Sequence, residues 1–288
     1  MQNMQLKITF KFEKEQDWKF DRYILQGIFY NALKQTNIQN IHNKEIWLYT
    51  FSNIYPFDKQ LNFEAWKKYN ITFRTIRKDI LLAVSGFFLV NKEIKFWDGN
   101  KIFIEKVDLV NNENFYPWKI VKSITPIVLS LDKELAQKYG IEFNLKERPL
   151  YWNKNMGFKV FVEQLNKNIL KKYVYILEKI ISWEWDKNNL KDNIVYYFRK
   201  IENWERKLLE KYKNKEEFDE FAENVDLFKG YKFKHGALLN YKKGKIAGSY
   251  WDFIIWENTE DLDKTKILKI VSLMWIWERA TAGFGFIK

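Results

Sequence analysis

From Gln5 to Phe12 the chain alternates Leu6, Ile8, Phe10 and Phe12 with Lys7, Thr9 and Lys11, and soon afterwards the apolar period lengthens from two to that of a helix. No other feature constrains the fold as much. Alternation in two marks a half-buried strand, and a stripe at 3.6 marks an amphipathic helix. Asp21 is placed to cap a helix running to about Thr36, with Leu25, Ile28, Phe29, Ala32 and Leu33 on one stripe. Arg22, Gln26, Tyr30 and Lys34 recur on another face, where core packing does not account for a tyrosine. Trp47 to Ile54 and Tyr69 to Ile76 read as strands, Arg77 to Val90 as a helix with Leu81, Val84 and Phe88 inward, and Lys101 to Val110 as a strand. The order is strand, helix, strand, strand, helix, strand.

It then restarts. Lys119 to Leu131 is strongly β-prone, with Pro126 marking an edge or bulge. Met156 to Ser182 carries helical periodicity, and the charged, aromatic stretch Leu190 to Glu223 reads as a helical insertion. Lys229 to Leu239 and Gly248 to Trp256 form a strand pair joined through Lys242, Lys243, Gly244 and Lys245, a turn that is also a basic tip. Asp261 to Trp275 is the next helix, capped by Thr259 or Asp261, and the loop Glu278 to Phe286 leads into a last strand. The expected fold class is therefore α+β, two tandem ferredoxin-like (βαββαβ, RRM-like) domains at 1–116 and 117–288, the second carrying the insertion at 190–223.

Charge narrows the partner. The 49 Lys and Arg against 37 Asp and Glu leave a net +12, which favours a polyanion and salt-sensitive binding. Lysine, asparagine and isoleucine abound while arginine is sparse; base composition of a genome produces the same skew, so an acidic protein partner stays open. There is no cysteine, and the two histidines are His42 and His235. Disulfides and Cys/His zinc sites are excluded, and neither a metal nor another cofactor is called for. The longest apolar run, Ile80 to Val90, is well short of the roughly 18 residues of a membrane span, so no membrane partner is expected. The N-terminal stretch lacks a signal-peptide core, so a cytoplasmic protein is expected.

Gly283-Phe284-Gly285, preceded by Arg279 and Thr281, would let a backbone approach a phosphate closely. A helix cap entering a buried strand is the competing reading of the same residues. Three stretches together resemble the CRISPR-associated Cas-six endoribonucleases of the RAMP superfamily. Tyr23 to Lys34 is similar to that family's opening helix, followed at its spacing by His42 and the strand Leu48 to Ser52; Ser123 to Leu129 is similar to the strand opening its second domain; and Glu278 to Phe286 is similar to its terminal loop. Trp275 and Trp277 depart from it, standing where the family usually has two further glycines.

The resemblance implies a metal-independent endoribonuclease in which the 2′-hydroxyl attacks the adjacent phosphate, leaving 2′,3′-cyclic phosphate and 5′-hydroxyl ends. CRISPR repeat RNA, as pre-crRNA and crRNA, is the implied partner; a CRISPR effector complex, a homodimer and a catalytically silent RNA-binding role stay open. His42, in a polar loop, is the candidate general acid or base, Tyr30 its partner in proton transfer, and Lys44 the charge stabiliser. A surface histidine, a helix-edge tyrosine and a solvated lysine are the competing readings. Arg279, Thr281, Gly283, Gly285, Lys232, Lys234, His235, Lys242 and Lys243 are the candidate RNA contacts. Arg74 and Arg77 stand out as rare arginines where fork geometry would matter.

Overall fold

The computed structural model describes residues 4–16, 22–34, 49–52, 54–56, 62–96, 99–111, 115–142, 150–185, 201–241 and 244–273. The fold is a mixed α+β one that divides into two compact units, the first built from Met1–Asn112 and the second from described residues beyond it. Among the described residues no helix is long and apolar enough to cross a membrane.

In the first unit β1 (Met4–Phe12), β2 (Tyr49–Phe51), β3 (Lys68–Thr75), β4 (Glu93–Lys95) and β5 (Lys101–Asn111) form one sheet in the order β2-β3-β1-β5-β4. Every neighbouring pair is antiparallel. The alternation of β1 is realised as expected: Leu6, Ile8, Phe10 and Phe12 are buried. Between β1 and β5 the register slips at Thr9/Phe10, leaving Glu105 as the extra residue of β5. There its carboxylate takes Lys11 at 2.5 Å and Lys68 at 3.1 Å, tying β5 to β1 and β3.

Two helices, α1 (Arg22–Lys34) and α2 (Lys78–Val90), pack together, and α2 lies against β1, β3 and β5. The stripe Leu25, Ile28, Phe29, Ala32 and Leu33 is buried. Phe29 stacks on Phe51 and Phe73, each at 4.9 Å, and meets Phe88 edge-on at 5.7 Å. One side chain thereby joins α1 to β2, β3 and α2, and truncating such a ring to alanine costs about 3–5 kcal/mol. The two rare arginines serve the scaffold. Arg74 is buried and its Nε donates to Gln5 Oε1 at 2.6 Å, while the Arg77 guanidinium grips the Asp79 carboxylate through both Nε and a terminal nitrogen. The fork geometry is used, but on this chain's own acid.

The second unit holds a three-stranded sheet, β6 (Ile120–Lys122), β7 (Phe228–Tyr241) and β8 (Gly244–Ile255), in the order β6-β8-β7. The long strand expected over Lys119 to Leu131 shrinks to the three residues of β6. Beyond them Ser123 replaces a ladder bond: its Oγ accepts from Trp251 N at 2.7 Å and donates to Trp251 O at 3.1 Å. After Pro126, which has no N–H to give, pairing resumes only at the bridges Ile127–Ser249 and Ser130–Tyr151.

Helices α3 (Lys133–Lys138), α4 (Phe158–Trp185), α5 (Asn203–Lys213), α6 (Lys215–Asn224) and α7 (Lys264–Ser272) complete this unit. Phe161 of α4 stacks on the buried Trp251 of β8 at 4.2 Å, which seats the helix on the sheet. Of the region expected as an insertion, residues 201–223 contribute to the core: Trp204, Leu208, Phe218 and Ala222 are buried, and Trp204 stacks on Tyr173 of α4 at 5.7 Å. The last helix starts later than its sequence suggests. Its cap is Asp263, whose Oδ1 accepts from Lys266 N at 2.8 Å, and neither Thr259 nor Asp261 fills that place.

Candidate RNA-binding site

The hairpin of β7 and β8 carries three of the proposed contacts, and its register decides where they face. Two slips interrupt the ladder, between Phe228 and Gly230 and between Phe233 and His235, so the extra residues are Lys229 and Lys234. Such a bulge inserts one residue and shifts the strand's alternation by one step. Phe233 pairs with the inward Trp251, and an unbroken strand would hold His235 on that same face. The bulge at Lys234 instead pairs His235 with Tyr250, on the face that also holds the Lys232–Asp252 pair. Lys232, Lys234 and His235 are all exposed.

On this outer face the His235 ring stacks on Tyr250 with centroids 4.5 Å apart and planes 25° from parallel. Lys234 Nζ lies 2.6 Å from Asp252 Oδ2. Much of the Lys234 charge is therefore spent within the hairpin, and Lys232 is the better placed of the two for a phosphate. Neither Tyr250 nor Asp252 was expected from the sequence, because the period-two pattern runs through the bulge without a mark.

In the first unit Tyr30 takes the predicted position on the outer side of α1, about one-third exposed (36%), with Leu33 and Phe29 turned inward. It stands close enough to Tyr49 for the two phenols to interact electrostatically. Burial, with Tyr30 adding to it, pushes the Tyr49 hydroxyl far above the ordinary tyrosine range. Tyr49 opens β2, directly after residues 35–48, so Tyr30 flanks the place where that segment rejoins the sheet. His42 and Lys44 belong to this segment and lie outside the described residues, as do Lys242, Lys243, Arg279, Thr281, Gly283 and Gly285.

No protein-family profile and no curated protein sequence matches this chain. Its structure does have counterparts. A CRISPR-associated protein Cas6 matches with TM-score 0.58 at 13% identity, over 99% of this chain and 98% of the other. An RAMP protein binding different RNA substrates matches with TM-score 0.62 at 10% identity, over the same shares. A Cas6 product complex matches with TM-score 0.59 at 10% identity, over 100% of this chain and 99% of the other. The chain has the fold of the Cas6 and RAMP proteins.

Within this Cas6 fold the described residues hold no group of three or more His, Cys, Asp or Glu side chains arranged to bind a metal ion. The densest cluster of acids, Asp132, Glu163, Asp219 and Glu223 around α3, α4 and α6, is matched by lysines. Lys167 sits 3.0 Å from Asp132 and 2.8 Å from Asp219, and Lys138 3.1 Å from Glu163 and 2.8 Å from Glu223. That network fastens three helices together.

Proposed function

We propose that this chain binds CRISPR repeat RNA and cuts it once per repeat to release guide RNA. One observation carries the reading: the fold corresponds to Cas6 structures along essentially the whole chain, a product complex among them. The net charge of +12 and the exposed Lys232 and His235 of the hairpin support RNA as the ligand. In the proposed architecture two ferredoxin-like domains, 1–116 and 117–288, stand in tandem. The order β2-β3-β1-β5 with α1 and α2 as crossovers supports the first of them.

The reaction needs a base for the 2′-hydroxyl proton, an acid for the departing 5′ oxygen, and positive charge against the transition state. The 2′ oxygen bonds to phosphorus as the bond to the 5′ oxygen breaks, giving 2′,3′-cyclic phosphate and 5′-hydroxyl ends. No metal takes part in this scheme. His42 performs one proton transfer, Tyr30 partners it from the edge of α1, and Lys44 stabilises charge. Arg279, Thr281, Gly283 and Gly285 hold the RNA backbone through the terminal loop, and Lys242 and Lys243 at the hairpin tip add charge.

Incubating the purified protein with end-labelled repeat RNA in EDTA tests the reading. Scission by the wild type, lost in His42→Ala with binding retained, is the expected result. Binding without scission by the wild type would replace the enzyme with a silent RNA-binding subunit, and failure to bind repeat RNA would overturn both.

A further inference from the structure

At the edge of the second sheet two indoles close on one ammonium group. Trp118 stands just before β6 and Trp256 just after β8; their ring centroids are 5.9 Å apart. Lys229 Nζ lies 3.8 Å from the centre of the Trp118 ring and 4.9 Å from that of Trp256. Lys229 reaches them because it is the extra residue of the first β7 bulge. Gly230 follows it where even a methyl group would come within 3.2 Å of Ile254 Cδ1, so the backbone hugs β8 as the lysine swings out.

Packing alone does not explain how Trp118 is held. Its φ is 70°, a left-handed conformation that costs a bulky residue on the order of 1–3 kcal/mol. The backbone is fixed there by Trp118 N–H donating to Ile255 O at 2.9 Å, and the ring by its Nε1 donating to Glu257 Oε1 at 3.0 Å. Yet 47% of this residue faces solvent, beside Tyr116 and Ile120, which are more exposed still. The Lys119 ammonium adds a second cation over the Phe115 and Tyr116 rings. An oriented, half-exposed indole with positive charge at its back is a surface for a flat, electron-rich ring carried on an anionic chain. Among the described residues Lys229 has no carboxylate partner, and Glu257 is occupied by the indole N–H.

We propose that Trp118, backed by Lys229 and Trp256, is a stacking subsite for one unpaired nucleobase of single-stranded RNA, with Lys229 and Lys119 facing the adjoining phosphates. The subsite rests on the RNA-binding reading above and adds to it a preference for an unpaired segment. Stacking on an aromatic side chain is worth about 1–3 kcal/mol per base, roughly 5- to 150-fold in affinity.

The test measures binding of a labelled, unstructured oligouridine and of repeat RNA by anisotropy, for the wild type, Trp118→Ala, Trp118→Phe and Lys229→Met. Expected are a loss of about 5- to 150-fold for oligouridine in Trp118→Ala, recovery of most of it in Trp118→Phe, and a shallower salt dependence in Lys229→Met. Wild-type affinity in both Trp118→Ala and Lys229→Met would overturn the subsite and leave the RNA-binding reading standing. A Trp118→Phe variant as weak as Trp118→Ala would overturn stacking as the cause. No binding of either RNA by the wild type would overturn the subsite together with the reading it rests on.

Discussion

His235 lies nearly face to face with Tyr250 across the β7/β8 ladder, 4.5 Å between ring centroids, and it does so because Lys234 is an extra residue that turns the strand over. The pair forms one aromatic surface beside Lys232, with His235 exposed and Tyr250 half-buried. His235→Ala and Tyr250→Ala are each expected to weaken repeat-RNA binding several-fold, and the double variant by less than the product of the two, because either truncation breaks the same surface. Anisotropy titrations of the four proteins measure this. Wild-type affinity in both single variants would remove the hairpin face from the RNA path.

The bulge also shows what a sequence does and does not reveal. Period-two alternation in β1 and helical periodicity in α1 and α2 are local properties, and those elements appear where the residues indicate. The extra residues Glu105, Lys229 and Lys234 are invisible to that reading, because a bulge is fixed by its partner strand. Thus Lys232, Lys234 and His235 could be named as a basic aromatic strand, whereas the Tyr250 stack and the Lys234–Asp252 pair could not. The three-residue β4 was missed because Glu93, Ile94 and Lys95 are too few to display a period. The charged, aromatic stretch 190–223 reads as an insertion from its sequence, yet Trp204, Leu208 and Phe218 are buried and Trp204 stacks on Tyr173 of α4, a long-range contact that no local pattern displays.

Glu205 is fully buried and carries three partners: Tyr173 OH donates to its Oε1 at 2.5 Å, Lys266 Nζ lies 2.9 Å away, and the Glu202 backbone N–H donates at 2.7 Å. Glu205→Ala leaves the buried Tyr173 hydroxyl without this acceptor and Lys266 with Glu202 alone, at 2.6 Å, and is expected to cost about 1–3 kcal/mol in urea unfolding. Glu205→Gln still accepts from Tyr173 and should cost less. Equal losses in the two variants would mean that packing, not charge, matters at this position.

The same cluster predicts a pH profile. Burial lowers the Lys266 pKa, but hydrogen bonds and charge from Glu202 and Glu205 outweigh it, so the folded value lies above the ordinary 10.5. Its contribution is full below 10.5 and is lost only as pH rises through that higher value. Glu202 is held below the ordinary 4.5, chiefly by its hydrogen bond from Lys266, so its contribution is present above 4.5 and lost as pH falls through the folded value. Stability from this cluster should be level across neutral pH and decline at both extremes. Lys266→Met should flatten both arms in urea midpoints measured against pH, and an unchanged profile would assign the arms to other groups.

Tyr30 offers the sharpest separation of chemistry from folding. Its side chain sits on the solvent side of α1 while Phe29 and Leu33 supply the buried contacts, so Tyr30→Phe should leave stability within about 0.5 kcal/mol of the wild type. If its hydroxyl partners His42 in proton transfer, removing that one oxygen lowers the single-turnover cleavage rate by about 100-fold or more, within the usual yield of general acid–base catalysis. The dissociation constant for repeat RNA should stay unchanged, because the transfer occurs only in the transition state. A Tyr30→Phe enzyme with wild-type rate would leave the phenol a helix-edge residue beside Tyr49. A parallel loss of binding and rate would make it an RNA contact. The predicted signature is a lower rate at constant affinity, and quench-flow cleavage combined with equilibrium binding of the same RNA reads it directly.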